Sequence, residues 1–431
     1  MTERLVVERL GARGDGVAET EGGPVYVPYA LPGETVSAER DGGRARLAAV
    51  DVPSPDRIAP YCPYFGVCGG CAAQHMGRAL YAGWKHGIVA AALAQARIAT
   101  QLDAVVEGHG TGRRRITLHA RLRDGEVRVG YMAARSHELV DIAVCPIAEP
   151  ALKTAGPEAA RSIAQALARA KKPLDVQITA TDAGLDVDVR GHGPLQPRER
   201  ERLIAQAGAL DLARLSLHGD VVVERRPPAI GMGRARVVPP PGAFLQATRA
   251  GEAALAALVR DACAGSRRIG DLFAGCGPFA LRLAEFAEVH AVEADAGSLG
   301  ALDRGWREAT GLRRVSTETR DLFRRPLLAP ELAGFDAVVI DPPRAGAEAQ
   351  ARQLARSAVP MVASVSCDAG TFARDSAILI DGGYALTRVT PVDQFKETQH
   401  AELVGLFRRP ALTTRKRLRP AEPVPGGPVE F

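Results

Sequence analysis

The sequence has no apolar stretch close to the ~20 residues that a helix needs to span a bilayer. Its start, Met1-Thr2-Glu3-Arg4, lacks the basic and then apolar segments of a secretory signal, so we expect a cytoplasmic protein. The charge excess is small, with 55 Lys plus Arg against 50 Asp plus Glu, and it permits a polyanionic partner without requiring one. Seven cysteines, an odd number, favour metal binding or catalysis over a disulfide framework.

The length of 431 residues predicts two to four domains, at roughly 100 to 200 residues each. Residues 1–55 alternate short apolar runs with glycine turns, which is typical of a small β-barrel. Residues 56–240 contain a cysteine cluster and then hairpin and helix patterns of an α+β middle domain. Residues 241–412 repeat strand, turn and helix, which predicts a doubly wound α/β sheet. Residues 413–431 are basic and rich in proline, and we expect a disordered tail.

The barrel could bind nucleic acid, but residues 1–51 hold nine acidic residues against six arginines. Any RNA contact there must therefore use one face and not the overall charge. The arginine run 113–115 opens the first hairpin and could contact phosphate, although a solvated turn is an equal interpretation. The predicted elements are helices at 79–98, 157–171 and 371–380, hairpins at 116–132 (turning at 124–125), 176–189 and 385–407, and buried strands at 269–273, 289–292, 336–340 and 361–366.

Three cysteines lie within ten residues, and a fourth lies far along the chain. Cys62, Cys68 and Cys71 form C-x5-C-G-G-C, and Cys145 precedes a proline. Four thiolates suit either an iron-sulfur cluster or tetrahedral zinc, and the spacing does not separate the two.

A glycine turn follows the first strand of the α/β domain, where backbone can approach a nucleotide-like ligand. Gly275 and Gly277 form this turn, and Glu293 ends the next strand, where it can bond ribose hydroxyls. These features suit NAD or S-adenosylmethionine. The segment Asp341-Pro342-Pro343-Arg344 suits a methyltransferase and not a dehydrogenase, so we favour S-adenosylmethionine.

A thiol and a carboxylate are predicted near the same edge of this sheet. Cys367 follows the fifth strand, and Glu402 begins the last one. Uracil C5 is a weak nucleophile, but addition of a thiolate to C6 makes an enolate that attacks readily. A base must then remove the C5 proton so that the thiolate can leave. Cys367 and Glu402 are candidates for these two roles.

With these motifs the sequence resembles the RNA uracil-C5 methyltransferases, in particular bacterial 23S ribosomal RNA members with a TRAM domain and a [4Fe-4S] cluster. The resemblance spans almost the whole chain. It implies a Rossmann-like class I methyltransferase domain behind an OB-like barrel and an α+β domain. It also implies four cluster ligands, Cys62, Cys68, Cys71 and Cys145, with Cys367 as nucleophile, Glu402 as base, and Gln246, Phe273, Gly275, Gly277, Glu293, Asp321 and Asp341 as cofactor contacts.

Three positions depart from the family pattern. Thr248 and Pro278 stand where asparagine is common, and residues 393–398 replace a segment that usually reads D-x-F-P-H-T. The resemblance favours 23S ribosomal RNA as the substrate, and we expect a monomer. The alternatives are a transfer RNA enzyme, a cytosine-C5 or amino-group methyltransferase, and a non-catalytic iron-sulfur protein that binds RNA.

Overall fold

The computed structural model describes residues 2–123, 126–167 and 173–410. The first sheet is formed by β1 Thr2–Val6, β2 Arg9–Leu10, β3 Gly16–Thr20, β4 Gly23–Val27, β5 Thr35–Asp41 and β6 Arg44–Val52. Its strand order is β1-β5-β6-β4-β3-β2, antiparallel except for a single contact between β4 and β6. Alternate side chains such as Leu5, Val25 and Val36 point inward and give this sheet its own apolar core.

A buried ion pair joins the first sheet to the following loop. Glu34 is fully buried and accepts hydrogen bonds from the backbone N–H groups of Leu31 (2.8 Å) and Ser54 (3.2 Å). Its Oε1 also accepts from Nε of Arg57 at 2.5 Å. The cysteine-bearing segment that begins here is therefore anchored to the first sheet.

The helix predicted at 79–98 is α1, Arg78–Gln95, and it contacts both ends of the molecule. Trp84 Nε1 donates to the carbonyl of Gly11 at 3.1 Å, while Val89 and Leu93 pack in a core of the C-terminal sheet. Two short strands follow, β7 Gln101–Leu102 and β8 Val106–Glu107, and both join that C-terminal sheet.

The second sheet carries helices α2 Pro150–Lys153, α3 Ala155–Ala166 and α4 Pro197–Ala209, and its strands are β9 Arg115–Arg123, β10 Glu126–Met132, β11 Leu139–Asp141, β12 Leu174–Thr181, β13 Gly184–Arg190, β14 Arg214–Leu217 and β15 Asp220–Glu224. The order is β11-β10-β9-β12-β13-β14-β15. Both predicted hairpins are present, β9 with β10 and β12 with β13. The predicted turn at 124–125, the end of the helix predicted to 171 and the tail predicted at 413–431 lie outside the described residues.

The third sheet is the predicted doubly wound α/β sheet. A short hairpin of β16 Ile230–Met232 and β17 Ala235–Val237 precedes it. The elements of the third sheet and its helices are, in chain order, α5 Arg249–Ala262, β18 Arg268–Leu272, α6 Ala280–Leu283, β19 Glu288–Glu293, α7 Ala296–Glu308, β20 Val315–Thr319, β21 Ala337–Ile340, α8 Glu348–Arg356, β22 Met361–Ser366, α9 Ala369–Asp381, β23 Ala385–Asp393 and β24 Glu402–Arg408.

The order of the third sheet is β20-β19-β18-β21-β22-β24-β23-β7. The strands from β20 to β22 are parallel, and β24 enters antiparallel between β22 and β23. The chain moves away from β18 in one direction and returns to its other side at β21. This switch point opens a crevice at the carboxyl ends of β18 and β21, where ligands of such sheets bind. Among the described residues, no helix is both long and apolar enough to cross a membrane.

A single buried ammonium group holds the loop between β23 and β24. Lys85 of α1 is fully buried, and its Nζ lies 2.8 Å from Oδ1 of Asp393. The same Nζ donates to the carbonyl oxygens of Phe395 (3.3 Å) and His400. Tyr81 Oη donates to the other oxygen of Asp393 at 2.7 Å. Helix α1 therefore fixes both ends of this loop.

We expect Lys85→Met to lower the free energy of unfolding by about 3–5 kcal/mol, because it leaves the Asp393 carboxylate buried and uncompensated. Urea titration followed by tryptophan fluorescence measures this, since Trp84 is the neighbouring residue. The double variant Lys85→Met, Asp393→Asn should recover much of the loss. A Lys85→Met protein as stable as the wild type would show that the ion pair between Lys85 and Asp393 does not stabilise the fold.

Candidate active site and cysteine cavity

The crevice at the switch point is a cavity of about 840 Å³. It is lined by eight of the nine side chains or glycines predicted for catalysis and cofactor binding, namely Gln246, Phe273, Gly275, Glu293, Asp321, Asp341, Cys367 and Glu402. Gly277 does not line it. Six of them lie at the carboxyl ends of the parallel strands β18 to β22, Glu402 begins the antiparallel strand β24, and Gln246 precedes α5.

The glycine turn has two different physical requirements. Gly275 has φ +53° and lies at the cavity, where its N–H donates to Oε2 of Glu293 at 3.0 Å. Gly277 has φ +91°, and a Cβ there would lie 2.7 Å from Cγ of Leu302 in α7. Gly277 is thus needed for the packing of α7 behind the turn. It was predicted to contact the cofactor, but it does not line the cavity.

One end of the cavity combines carboxylates with aromatic rings. Glu293 accepts from the backbone N–H groups that follow it, and Asp321 Oδ1 accepts from the N–H of Phe323 at 3.0 Å. The ring of Phe323 is 5.4 Å from that of Phe273, centroid to centroid. Such an arrangement suits a ligand with a heteroaromatic ring and hydroxyl groups. Sequence reasoning missed Phe323, although an aromatic residue two positions after Asp321 was a visible signal.

The other end of the cavity holds a buried chain of polar side chains. Glu402 is 2% exposed, and its Oε2 accepts from Nε2 of Gln394 at 2.8 Å. The same Nε2 donates to Oε1 of Gln246 at 2.7 Å, and Gln246 Nε2 donates to Oδ2 of Asp341 at 3.0 Å. Gln394 was not among the predicted site residues. Two carboxylates are thus linked through two amides at this end of the cavity.

Burial sets the protonation of this end of the site. Burial raises the pKa of Glu402, which the hydrogen bond from Gln394 and the charge of Arg344 partly oppose. Burial, and then the charge of Glu402, raise the pKa of Asp341. Burial and the same Glu402 charge raise the pKa of Cys367 to about 11. The thiol is therefore protonated at neutral pH in the free protein, and Arg344 is the cation that favours its thiolate.

Arg114 and Arg115 do not form the phosphate contact or solvated turn predicted for the run 113–115, while Arg113 is half-buried beside the cysteine cavity. Arg114 is 1% exposed, pairs with Glu252 of α5 and donates Nε to the carbonyl of Gln246 at 2.9 Å. Arg115 donates Nη1 to a nearby carbonyl at 2.5 Å. The prediction is wrong because β9 begins at the junction of the second and third sheets, so these guanidinium groups hold the segment that carries Gln246.

The four predicted ligand cysteines line a second cavity, of about 470 Å³. All four are free thiols, and burial raises the pKa of Cys71 to about 12 and also raises the pKa values of Cys68 and Cys145. Cys145 lies in the loop between β11 and α2, while Cys62, Cys68 and Cys71 lie in the loop between β6 and α1. In the part of the chain that the structure describes, no three or more His, Cys, Asp or Glu side chains are grouped closely enough to hold a metal ion as placed.

The chain is similar over nearly its whole length to RNA methyltransferases. It is 47% identical over 410 residues to an uncharacterized RNA methyltransferase of Mesorhizobium japonicum, covering 95% of this chain and 99% of that protein. It is 32% identical over 457 residues to the 23S rRNA (uracil(1939)-C(5))-methyltransferase RlmD of Halomonas elongata, covering 96% of this chain and 91% of that protein. No protein-family model matches the chain.

A solved structure has the same fold. The Pyrococcus abyssi tRNA (uracil-54, C5)-methyltransferase, in complex with S-adenosyl-L-homocysteine, matches with a TM-score of 0.72 and 20% identity, over 94% of this chain and 100% of that chain. The predicted Rossmann-like class I methyltransferase architecture is confirmed. Membership among RNA methyltransferases supports a catalytic role and favours S-adenosylmethionine over NAD. The chain belongs to the RNA methyltransferase family that includes the 23S rRNA uracil-C5 enzyme of H. elongata.

Proposed function

We propose that the protein transfers a methyl group from S-adenosylmethionine to C5 of a uridine in RNA, with 23S ribosomal RNA as the RNA class. We further propose that it acts as a monomer in the cytoplasm. The observation that carries the proposal is one cavity lined by Cys367, Glu402 and Asp341 at one end and by Phe273 and Glu293 at the other. The H. elongata relative supports the choice of uracil and of ribosomal RNA.

The cofactor end fits an adenosine group by its donor set. The rings of Phe273 and Phe323 offer apolar faces for a base, and the carboxylates of Glu293 and Asp321 can accept from hydroxyl groups. S-adenosylmethionine supplies the methyl group on a sulfonium. Thr248, which replaces the common asparagine, caps helix α5 by accepting from the N–H of Gly251 at 2.9 Å. That substitution therefore keeps a structural role at the edge of the Gln246 segment.

The base end fits covalent catalysis. The Cys367 thiolate adds to C6 of the uracil, and the electron pair displaced to C5 forms the new bond to the methyl carbon as the bond from that carbon to the sulfonium sulfur breaks and leaves its electrons on sulfur. Glu402 then takes the proton from C5, and the electrons of that C–H bond re-form the C5–C6 double bond as the thiolate leaves. The pyrimidine must be unstacked from the RNA to reach both groups.

Thiolate formation needs help from Arg344. Burial holds the pKa of Cys367 at about 11, and the carboxylate of Glu402 adds to that shift. The guanidinium of Arg344 is fixed by a hydrogen bond to Nε2 of His400 at 3.1 Å. Burial and Arg344 lower the pKa of His400 to about 4, so its neutral ring can accept this bond. Arg344 is thus placed to stabilise the thiolate when RNA closes the site.

A groove beside the first sheet supports a role for the barrel in holding RNA. Its volume is about 760 Å³, and it runs between the first sheet and the cysteine loop as far as Gln399 in the loop after β23. Arg13, Arg44, Arg46 and Arg135 line it, together with Asp15, Glu39 and Asp41. Arg135, between β10 and β11, pairs with Asp15 at 2.7 Å, so the arginines that could contact phosphate here lie among carboxylates.

We propose that Cys62, Cys68, Cys71 and Cys145 hold a [4Fe-4S] cluster. Four free thiols, partly or fully buried, surround one cavity and come from two separate segments, which supports this assignment. A cluster would join the loop after the first sheet to the second sheet. Its role would be structural, since the methyl transfer exchanges no electrons.

Protein purified without oxygen should be brown and contain about four irons per chain. Cys145→Ala should lose most of this iron, because one of four thiolate ligands is removed. Cys263→Ala is the matched control, since Cys263 is a fully buried thiol in the core of the third sheet and should retain the iron. Stoichiometric zinc without iron would contradict the cluster.

The test of the RNA class compares the RNA of cells with and without the gene. Loss of 5-methyluridine from 23S ribosomal RNA alone is the expected result. Loss from transfer RNA alone would favour the transfer RNA alternative, for which the P. abyssi likeness supplies only a shared fold.

A further inference from the structure

We infer that Gln394 is a positioning residue that presents the base Glu402 to the substrate, an inference that rests on the proposed function. Gln394 is fully buried, in a segment that departs from the usual family pattern. Its amide contacts Glu402, Gln246 and the backbone of Ala247. The amide holds one oxygen of Glu402 and leaves the other to receive the C5 proton.

The orientation of the Gln394 amide is determined by a backbone group. The N–H of Ala247 lies 3.1 Å from Oε1 of Gln394, and a backbone N–H can only donate. The oxygen of the amide must therefore face Ala247. Its NH₂ group then faces Glu402 at 2.8 Å and Gln246 at 2.7 Å, so the usual ambiguity of an amide flip is removed.

This orientation determines which group donates and which accepts in each hydrogen bond between Glu402 and Asp341. Because Gln394 donates to Oε1 of Gln246, the NH₂ group of Gln246 faces Oδ2 of Asp341, at 3.0 Å. Each carboxylate thus receives a donated hydrogen bond on one named oxygen. Among the hydrogen bonds of the described residues, Oε1 of Glu402 accepts none. It is the oxygen available for a proton.

The backbone of Gln394 cannot easily move. The preceding residue, Asp393, is held by Lys85 and Tyr81. On the other side helix α5 packs directly against the side chain, since a Cβ on Gly251 would lie 2.5 Å from Cβ of Gln394. A rigid support of this kind is what a base needs in order to keep its geometry through the reaction.

A positioning role can be separated from simple core packing. A hydrogen bond donated to the carboxylate stabilises its charged form, so removal of the donor should raise the pKa of Glu402. The other charged or titratable groups that face Glu402 are Asp341, Cys367 and Arg344. They stay in place when only Gln394 is changed. A shift of the acid limb of activity therefore reports the lost donor.

The test uses Gln394→Met in the full-length protein with labelled S-adenosylmethionine and RNA. We expect kcat to fall about 10- to 100-fold, from loss of a hydrogen bond to a charged group, while KM for S-adenosylmethionine changes little. The acid limb of the pH profile should move up by about one pH unit. Methylated RNA should accumulate as a covalent complex, because proton removal is slowed after methyl transfer.

Gln350→Met is the matched control. Gln350 is also fully buried, and its amide bonds both backbone groups of Leu327, at 2.9 and 3.1 Å, away from the cavity. We expect a comparable loss of stability with an unchanged pH profile and no trapped complex. Gln394→Glu is the second variant. It keeps the volume of Gln394 and places a carboxyl group beside Glu402, so its acid limb should move further than that of Gln394→Met.

The inference is overturned if Gln394→Met and Gln394→Glu fold and have the pH profile of the wild type, whatever their rates. It is also overturned if both variants fail to fold while Gln350→Met folds, since Gln394 would then be a core residue. The proposed function is tested separately by Glu402→Gln. If that variant traps methylated RNA and the Gln394 variants do not, only the positioning role is lost.

Discussion

Cys367→Ala should lower methylation roughly 10⁴-fold or more, because the uracil then has no nucleophile at C6. The thiol lies at the carboxyl end of β22, in the same cavity as Asp341 and Glu402. Its proposed target is the base and not the cofactor. Binding of S-adenosylmethionine, measured by calorimetry, should therefore stay within about threefold of the wild type.

Cys263→Ala is the control for Cys367→Ala, since it removes a buried thiol from the core of the same domain. It should keep its methylation activity. A Cys367→Ala protein that remained active would contradict covalent catalysis and favour an amino-group methyltransferase, which needs no thiol. A protein inactive only because it no longer bound S-adenosylmethionine would place Cys367 in the cofactor site.

Glu402→Gln should stop the reaction at a later point. Addition and methyl transfer need only Cys367, but the C5 proton then has no base, and release should slow about 10²- to 10⁴-fold. The RNA should remain attached through Cys367 and carry the methyl group. A denaturing gel with labelled methyl measures this as a protein–RNA band.

Asp321→Asn is the matched control for Glu402→Gln, because Asp321 is a carboxylate at the cofactor end of the same cavity. It should raise KM for S-adenosylmethionine without trapping RNA. Free methylated product released by Glu402→Gln at the wild-type rate would show that another group is the base.

The site residues that follow parallel strands could be predicted from the sequence because short apolar runs mark where those strands end. Buried apolar strands end before Asp341 and Cys367, and parallel strands of one sheet end at the same edge. Glu402 is a candidate because it begins the last predicted strand and because covalent catalysis by Cys367 requires a base. All three line the predicted cavity, while their chemical roles stay predictions.

The contacts that sequence reasoning missed join distant parts of the chain. Arg114 pairs with Glu252, which is 138 residues away, and no local pattern distinguishes a buried arginine from a solvated one. Strands β7 and β8 are two residues each, too short for an alternation of apolar residues to show. Gln394 lies in a polar loop sequence, and only the fold shows that it is buried and that α5 packs against it.

For the cysteine cavity, too, the sequence predicts where the side chains lie but not which metal they bind. Its spacing and the family resemblance predicted that Cys145 belongs with Cys62, Cys68 and Cys71, and all four do line one cavity. Four thiolates suit either iron or zinc, so the identity of the metal has to be measured by iron and zinc analysis of the purified protein.

The most direct test of uracil-C5 methylation is nucleoside mass spectrometry of RNA after reaction with the purified protein. The substrate is 23S ribosomal RNA from cells that lack the gene, and the methyl donor is S-adenosylmethionine with a deuterated methyl group. We expect deuterated 5-methyluridine, identified by chromatography against 3-methyluridine and ribose-methylated uridine. Deuterated 5-methylcytidine, an N-methylated nucleoside or unlabelled RNA would contradict methylation at uracil C5.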